Sequence, residues 1–139
     1  MAINPRKADI LKTLNKCPDI GADAESHYKF LFSYENKFSN DVEIQRIVKI
    51  LNAMGNSNRF LILDLLKDKD RCVCELEAAL NKSQPAVSRH LKILESAELI
   101  RGWKHGKFTH YSLIKSQMEF FQNYMAKWAN RIQNWFGNV

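Results

Sequence analysis

The sequence predicts a mainly α-helical protein with one small β hairpin. Two observations carry this prediction. Apolar residues recur at helical spacing through most of the 139 residues, and two short runs of β character, Leu99 to Trp103 and Phe108 to Leu113, flank the basic turn Lys104, His105, Gly106, Lys107. Composition agrees, with 45% hydrophobic and 26% charged residues, close to the globular average. No apolar run approaches the roughly 18 to 20 residues of a membrane span, and the N-terminus lacks the apolar block of a secretory signal, so the expected location is the cytoplasm.

Taken in order, Ile10, Leu11 and Leu14 make a short amphipathic helix ended by Cys17 and Pro18, with Gly21 as a breaker. Tyr28, Leu31, Phe32, Glu35 and Phe38 fit a helix from about Ala24 to Lys37 with one aromatic face, and Ser39, Asn40 and Asp41 read as a turn and N-cap cluster. Ile44, Ile47, Val48, Leu51 and Met54 form a third helical stripe, stopped by Gly55 and Asn56. Ser57 can cap a fourth helix carrying Phe60, Leu63, Leu65 and Leu66, which is expected to be buried on most sides. After the polar turn Lys67 to Asp70, Cys72, Val73 and Cys74 read as a short extended piece leading into a helix with Leu76, Ala79 and Leu80 inward.

Asn81 and Lys82 break that helix. Ser83 can cap the next, with Pro85 in its first turn, where a missing N–H costs nothing. At 100° per residue Val87, Leu91 and Leu94 lie within about 40° of one another and form its buried stripe, leaving Gln84, Ser88, Arg89, Lys92 and Ser96 on the opposite face. The final segment places Met118, Phe121, Met125, Trp128, Ile132 and Trp135 at alternating steps of three and four, a seam that packs on another helix at a shallow angle. The expected organisation is an N-terminal helical extension over 1–42, a core over 43–115 and a C-terminal dimerisation helix over 116–139.

Charge is distributed unevenly. The net charge is +6. Residues 1–81 hold twelve basic and twelve acidic side chains, whereas residues 82–115 hold seven basic against two acidic, net +5. A local basic field of this kind is the footprint of a polyanion, because lysines and arginines displace the counterions condensed on nucleic acid. The plain alternative is a solvated face.

Two helices joined by the tight turn Asn81, Lys82, Ser83, a polar second helix and a basic hairpin describe a winged helix-turn-helix, which sets the second helix in the DNA major groove and the hairpin on the flanking backbone. The runs AMGNSNRFLILDLL from Ala53, RCVCELEAAL from Arg71, SQPAVSRHLKILESAELI from Ser83 and WKHGKFTHYSL from Trp103 resemble the ArsR family of dimeric, metal-responsive winged-helix repressors. The resemblance covers about residues 43–115. It implies a homodimer built through N- and C-terminal helices on a palindromic double-stranded operator, with Ser83, Gln84, Ser88 and Arg89 at base edges or nearby phosphates. Gln84 suits adenine N6 and N7, and Arg89 suits guanine O6 and N7. Lys92, Lys104 and Lys107 read as phosphate contacts, with solvent as the alternative for Lys92. His90, off the centre of the buried stripe, reads as a satisfied half-buried histidine.

Cys72 and Cys74 in RCVCEL resemble the ELCVCDL box of family members that sense arsenite, antimonite or soft divalent metals such as Cd, Pb or Zn. Thiolates suit such ions because soft ligands select soft acceptors. At a strand-to-helix junction both sulfurs can turn inward, whereas mid-helix residues i and i+2 point about 200° apart. The cysteine that follows in the best-known arrangement is replaced by Glu77, so the resemblance leaves Cys17 as the natural third ligand. Two other readings stand beside this: buried packing thiols, and a Cys17 to Cys72 disulfide across subunits. Zinc sites built from His and acidic pairs on the last helix are absent, since residues 115–136 hold no histidine and only Glu119 as an acid.

No P-loop, GxSxG or HExxH motif occurs, which argues against an enzyme, and no cofactor is required. The expected function is an operator-binding repressor modulated at its cysteines. The rivals are a redox-sensing or ligand-independent winged-helix regulator and a protein-interaction module that has lost DNA binding.

Overall fold

The computed structural model describes residues 4–20 and 23–137. The elements run α1 (Lys7–Lys16), α2 (Ala24–Asn40), α3 (Val42–Met54), α4 (Ser57–Leu66), β1 (Arg71–Cys72), α5 (Val73–Leu80), α6 (Gln84–Ser96), β2 (Ile100–His105), β3 (Phe108–Leu113) and α7 (Lys115–Gly137). The chain divides into two compact units, residues 1–45 and 46–139. No helix among the described residues is long and apolar enough to cross a membrane.

In the first unit, α1 ends at Cys17 as its apolar spacing and Pro18 require. Gly21, expected as the next breaker, lies outside the described residues. Asp23 caps α2 by accepting from the Ser26 amide at 3.1 Å. Tyr28 is buried and stacks on Phe32 at 5.7 Å, with Lys7 5.4 Å above its ring and paired to Glu25 at 2.7 Å. Farther along, the aromatic face is open, with Leu31 and Phe38 exposed. The helix also runs three residues past Lys37, so Ser39 and Asn40 are helical rather than a turn. Asp41 alone caps α3, accepting from the amides of Glu43 and Ile44 at 2.9 and 3.2 Å.

The second unit is built on one core, with Ile50, Ile62, Leu76, Val87, Leu91, Leu94, Leu99 and Ile100 all at 1% exposure or less. Four sequence expectations are corrected here. On α3 the buried line is Ile47, Ile50 and Ala53, while Val48 and Leu51 are exposed. On α4 the unbroken apolar run has no period of its own, and the helix buries Ile62, Leu63 and Leu66 with Phe60 and Leu61 outward; Asn56 rather than Ser57 caps it. On α5 Leu76 and Leu80 face in, but Ala79 is exposed.

The sheet is antiparallel in the order β1-β3-β2, one strand more than the expected hairpin. Arg71 pairs with Tyr111 and Cys72 with His110. The hairpin register runs from Ile100 opposite Leu113 to His105 opposite Phe108, so Lys104 and His105, expected in the turn, belong to β2. Only Gly106 and Lys107 turn the chain. Gly106 at φ +62 supplies the first central position, the pattern of a type II′ turn that matches strand twist. This arrangement is a winged helix-turn-helix: α5 and α6 form the helix pair and β2 with β3 the wing.

Candidate nucleic-acid interface and thiol pair

Helix α6 is positioned from below and presented above. Asn81 takes the left-handed conformation at φ 51 and ends α5; Ser83 is extended and Pro85 sits in the first turn of α6. Val87, Leu91 and Leu94 then anchor the helix in the core as the sequence predicts. Ser83, Gln84, Arg89 and Lys92 are exposed and Ser88 is half-buried. The face offered to solvent therefore carries one amide, one guanidinium, one amine and two hydroxyls, and no acid among these five.

The wing is stiffened on one face by aromatic contacts. Trp103 Nε1 donates to Ser112 Oγ at 2.8 Å, and its indole stacks on His110 at 4.8 Å. His105 meets both rings edge-on, at 6.2 and 5.6 Å. On the other face Tyr111 lies over Gly102, where a Cβ would come within 3.1 Å of the tyrosine ring. Burial and the neighbouring Glu95 carboxylate push the Tyr111 phenol upward. Lys104 and Lys107 are exposed at the tip.

His90 is half-buried, as the sequence suggests, but its partner is a cation. Its Nδ1 lies 3.5 Å from Arg59 Nη1. Burial first, then the charges of Arg59, Lys82 and Arg89, hold this imidazole below its ordinary range. Arg59 itself is pinned: Nε donates to the Ala53 carbonyl at 2.6 Å and Nη2 to the Asn52 carbonyl at 3.2 Å, satisfying the last turn of α3. Sequence reading missed this residue, whose only signal is an arginine just past a helix end.

Also missed was Gln117, a buried polar side chain near the start of α7. Its Nε2 donates to the carbonyl of Ala97, the C-cap of α6, at 2.8 Å, and its Oε1 accepts from Arg46 Nε at 2.8 Å and from Nη2 of the same guanidinium. Arg46 also lies 3.8 Å over the Phe120 ring. One amide thus ties together α3, the end of α6 and α7.

Cys72 closes β1 and serves as N-cap of α5, its amide donating to Glu75 Oε1 at 3.1 Å. Cys74 is already in the first helical turn and not extended as expected. Cys72 is buried, whereas Cys74 is exposed instead of turning inward. Even so the two sulfurs meet: the Cys74 thiol donates to Cys72 Sγ at 2.7 Å, and this contact is the first cause of the rise in the Cys74 thiol pKa. Two adjacent soft donors fit a soft ion, yet among the described residues no three His, Cys, Asp or Glu side chains converge as a metal cage. Cys17 is half-buried at the end of α1, in the other unit.

Residues 56–101 match the family described as "Bacterial regulatory protein, arsR family". The transcriptional repressor SdpR of Bacillus subtilis is 34% identical over 85 residues, which is 61% of this chain and 94% of that one. The arsenical resistance operon repressor of Escherichia coli is 37% identical over 67 residues, 48% of this chain and 57% of that one. Among solved structures, HlyU from Vibrio cholerae superposes with a TM-score of 0.54 at 30% identity, covering 66% of this chain and 96% of that one.

Proposed function

The chain belongs to the arsR family of bacterial regulatory proteins, transcription regulators with a DNA-binding winged helix-turn-helix and not enzymes, and from that premise we propose a homodimeric repressor whose operator binding is modulated at Cys72 and Cys74. The observation that carries the reading is the exposed polar face of α6, with Gln84, Arg89 and Lys92 free to meet DNA above the buried Val87, Leu91 and Leu94. Gln84, Ser88 and Arg89 read base edges in the major groove, and Ser83, Lys92, Lys104 and Lys107 contact phosphates. Repression follows the relatives, SdpR and the E. coli protein both being named repressors. A DNA partner supports the cytoplasm as its place of action.

Dimerisation is supported by what α7 leaves uncovered. Trp128, Ile132 and Trp135 are exposed on its seam, and so are Val48 and Leu51 on α3. Burying each large apolar side chain is worth about 1.5 to 3 kcal/mol. A two-fold dimer then reads a palindrome with half-sites about 34 Å apart. In this organisation residues 1–42 are an extension, 43–115 the DNA-binding core and 116–139 the dimerisation helix.

The effector class is arsenite, antimonite or a soft divalent ion such as Cd, Pb or Zn, with Cys17 as the third thiol. Such an ion, when bound, replaces the thiol protons and holds the sulfurs at a fixed spacing. Because Cys72 and Cys74 begin the helix that supports α6, moving their sulfurs from the present 2.7 Å contact to the wider spacing of two ligands on one ion shifts that junction and lowers operator affinity.

The test is fluorescence anisotropy on the gene's own upstream DNA with and without arsenite, Cd²⁺ and an oxidant. Cys72→Ser and Cys74→Ser are expected to keep operator affinity and lose release by the ion. Release by oxidant alone would turn the site from metal to disulfide chemistry. Release that survives both substitutions would sink the cysteine reading, and absence of salt-dependent operator binding would sink the whole proposal.

A further inference from the structure

Between α3, the start of α4 and the second half of α6 lies an open cleft of about 410 Å³, within the range of small-molecule sites. Its lining combines two chemistries. Lys49, Arg59 and Lys92 bring three cations, and no acidic side chain lines it; Ala53, Ile93 and Ala97 bring an apolar floor. The Arg59 charge is held in place by its two bonds to the α3 carbonyls, so this cation is preorganised for an anion, with the exposed Lys49 and Lys92 beside it. Asn52 and Ser96 add hydrogen-bonding groups at the rim.

We propose that this cleft binds a small organic anion with an apolar body, of the carboxylate class, its head between Lys49, Arg59 and Lys92 and its chain against Ala53, Ile93 and Ala97. A bare phosphate, free or in DNA, would satisfy the cations and leave the floor wet. The cleft bridges α3 and the recognition helix, so an occupant draws Lys92 away from a DNA phosphate and lowers operator affinity. That consequence rests on the proposed function, whereas the binding itself does not.

The experiment is therefore run first without DNA. The ¹⁵N-labelled full chain is titrated with decanoate and its amide shifts are followed. Saturable shifts are expected at Asn52, Ala53, Ile93 and Ser96. The dissociation constant is expected to rise at least tenfold in Ile93→Glu and in Lys49→Glu, both changes of exposed side chains, and to stay unchanged in Lys115→Glu, which alters charge equally elsewhere. Equal concentrations of inorganic phosphate, which meets the cations without covering the floor, are expected to move these amides far less and without saturating. Shifts centred on the exposed apolar residues of α2 or α7, indifference to Ile93→Glu and Lys49→Glu, or an equal response to phosphate would each overturn the assignment. In a second arm, saturating decanoate is expected to weaken operator binding about fivefold or more. An unchanged affinity there would overturn the regulatory role while leaving the DNA-binding reading intact.

Discussion

Replacing Gln117 with leucine removes a buried junction without changing the volume much. The neutral bond to the Ala97 carbonyl contributes about 1 kcal/mol, and the pair of bonds from the Arg46 guanidinium to Oε1 about 1.5 to 3 kcal/mol, since one partner is charged. Leucine leaves both the carbonyl and the guanidinium without this partner in a site where Gln117 is only 3% exposed. The expected loss is about 2 to 4 kcal/mol. In urea, with a slope of about 2 kcal/mol/M, the midpoint falls by about 1 to 2 M. Protein concentration must be fixed, because association adds to apparent stability. A double-mutant cycle with Arg46→Ala isolates the charged part, with a coupling of about 1.5 to 3 kcal/mol expected. A coupling near zero, or a leucine variant that melts with the parent, would refute the assignment of Gln117 as the tie between α6 and the flanking helices.

Arg89→Ala should weaken specific DNA binding by about 1 to 3 kcal/mol and blur base preference, while Lys104→Ala and Lys107→Ala should weaken all sequences alike and flatten the salt slope by about one each; equal binding of operator and random DNA by the parent and Arg89→Ala would show that α6 is not the reading helix. Trp128→Glu combined with Ile132→Glu should yield a monomer in sedimentation at micromolar concentration, and a parent already monomeric there would defeat the seam reading. Burial and the nearby cations disfavour a charged His90 in the fold, and the imidazole protonates more readily in the unfolded chain, so stability should fall as pH drops below about 6.5 and level off once the folded imidazole is charged too. His90→Asn should remove that part of the acid slope, and an unchanged slope between pH 6.5 and 5 would assign it to other groups.

Legibility in the sequence followed one-sidedness. Helix α6 has a single apolar stripe against a polar face, and Val87, Leu91 and Leu94 were readable from spacing alone. Helix α4 packs Phe60, Leu61, Ile62 and Leu63 in succession, a run without period, and its inward residues are set by neighbours far along the chain. The α3 stripe slipped by a residue because Val48 and Leu51 are as apolar as Ile47 and Ile50, yet the fold covers only the latter pair. Ser57 and Asn56 are both good caps, and nothing local chooses between them. At the candidate site, the exposed polar side chains were legible because they lie on one helix face and at the end of one hairpin. Gln117 and Arg59 act through partners brought in by folding, the first across 71 positions to Arg46, and no local pattern announces that.

Strand β1 has only two residues, yet its pairing with β3 closes the whole stretch from α5 to the wing tip into a loop. So short a ladder is the natural place for a local opening that leaves the core intact. Cys74 needs no such event, being exposed, but Cys72 is buried at the end of the strand. Alkylation of the two thiols therefore proceeds on two clocks: the first set by the reagent, the second by how often β1 lifts from β3. The same lift slackens the outer edge of the wing, so the slow clock also reads wing mobility, and amide exchange at Tyr111, opposite Arg71, keeps time with it.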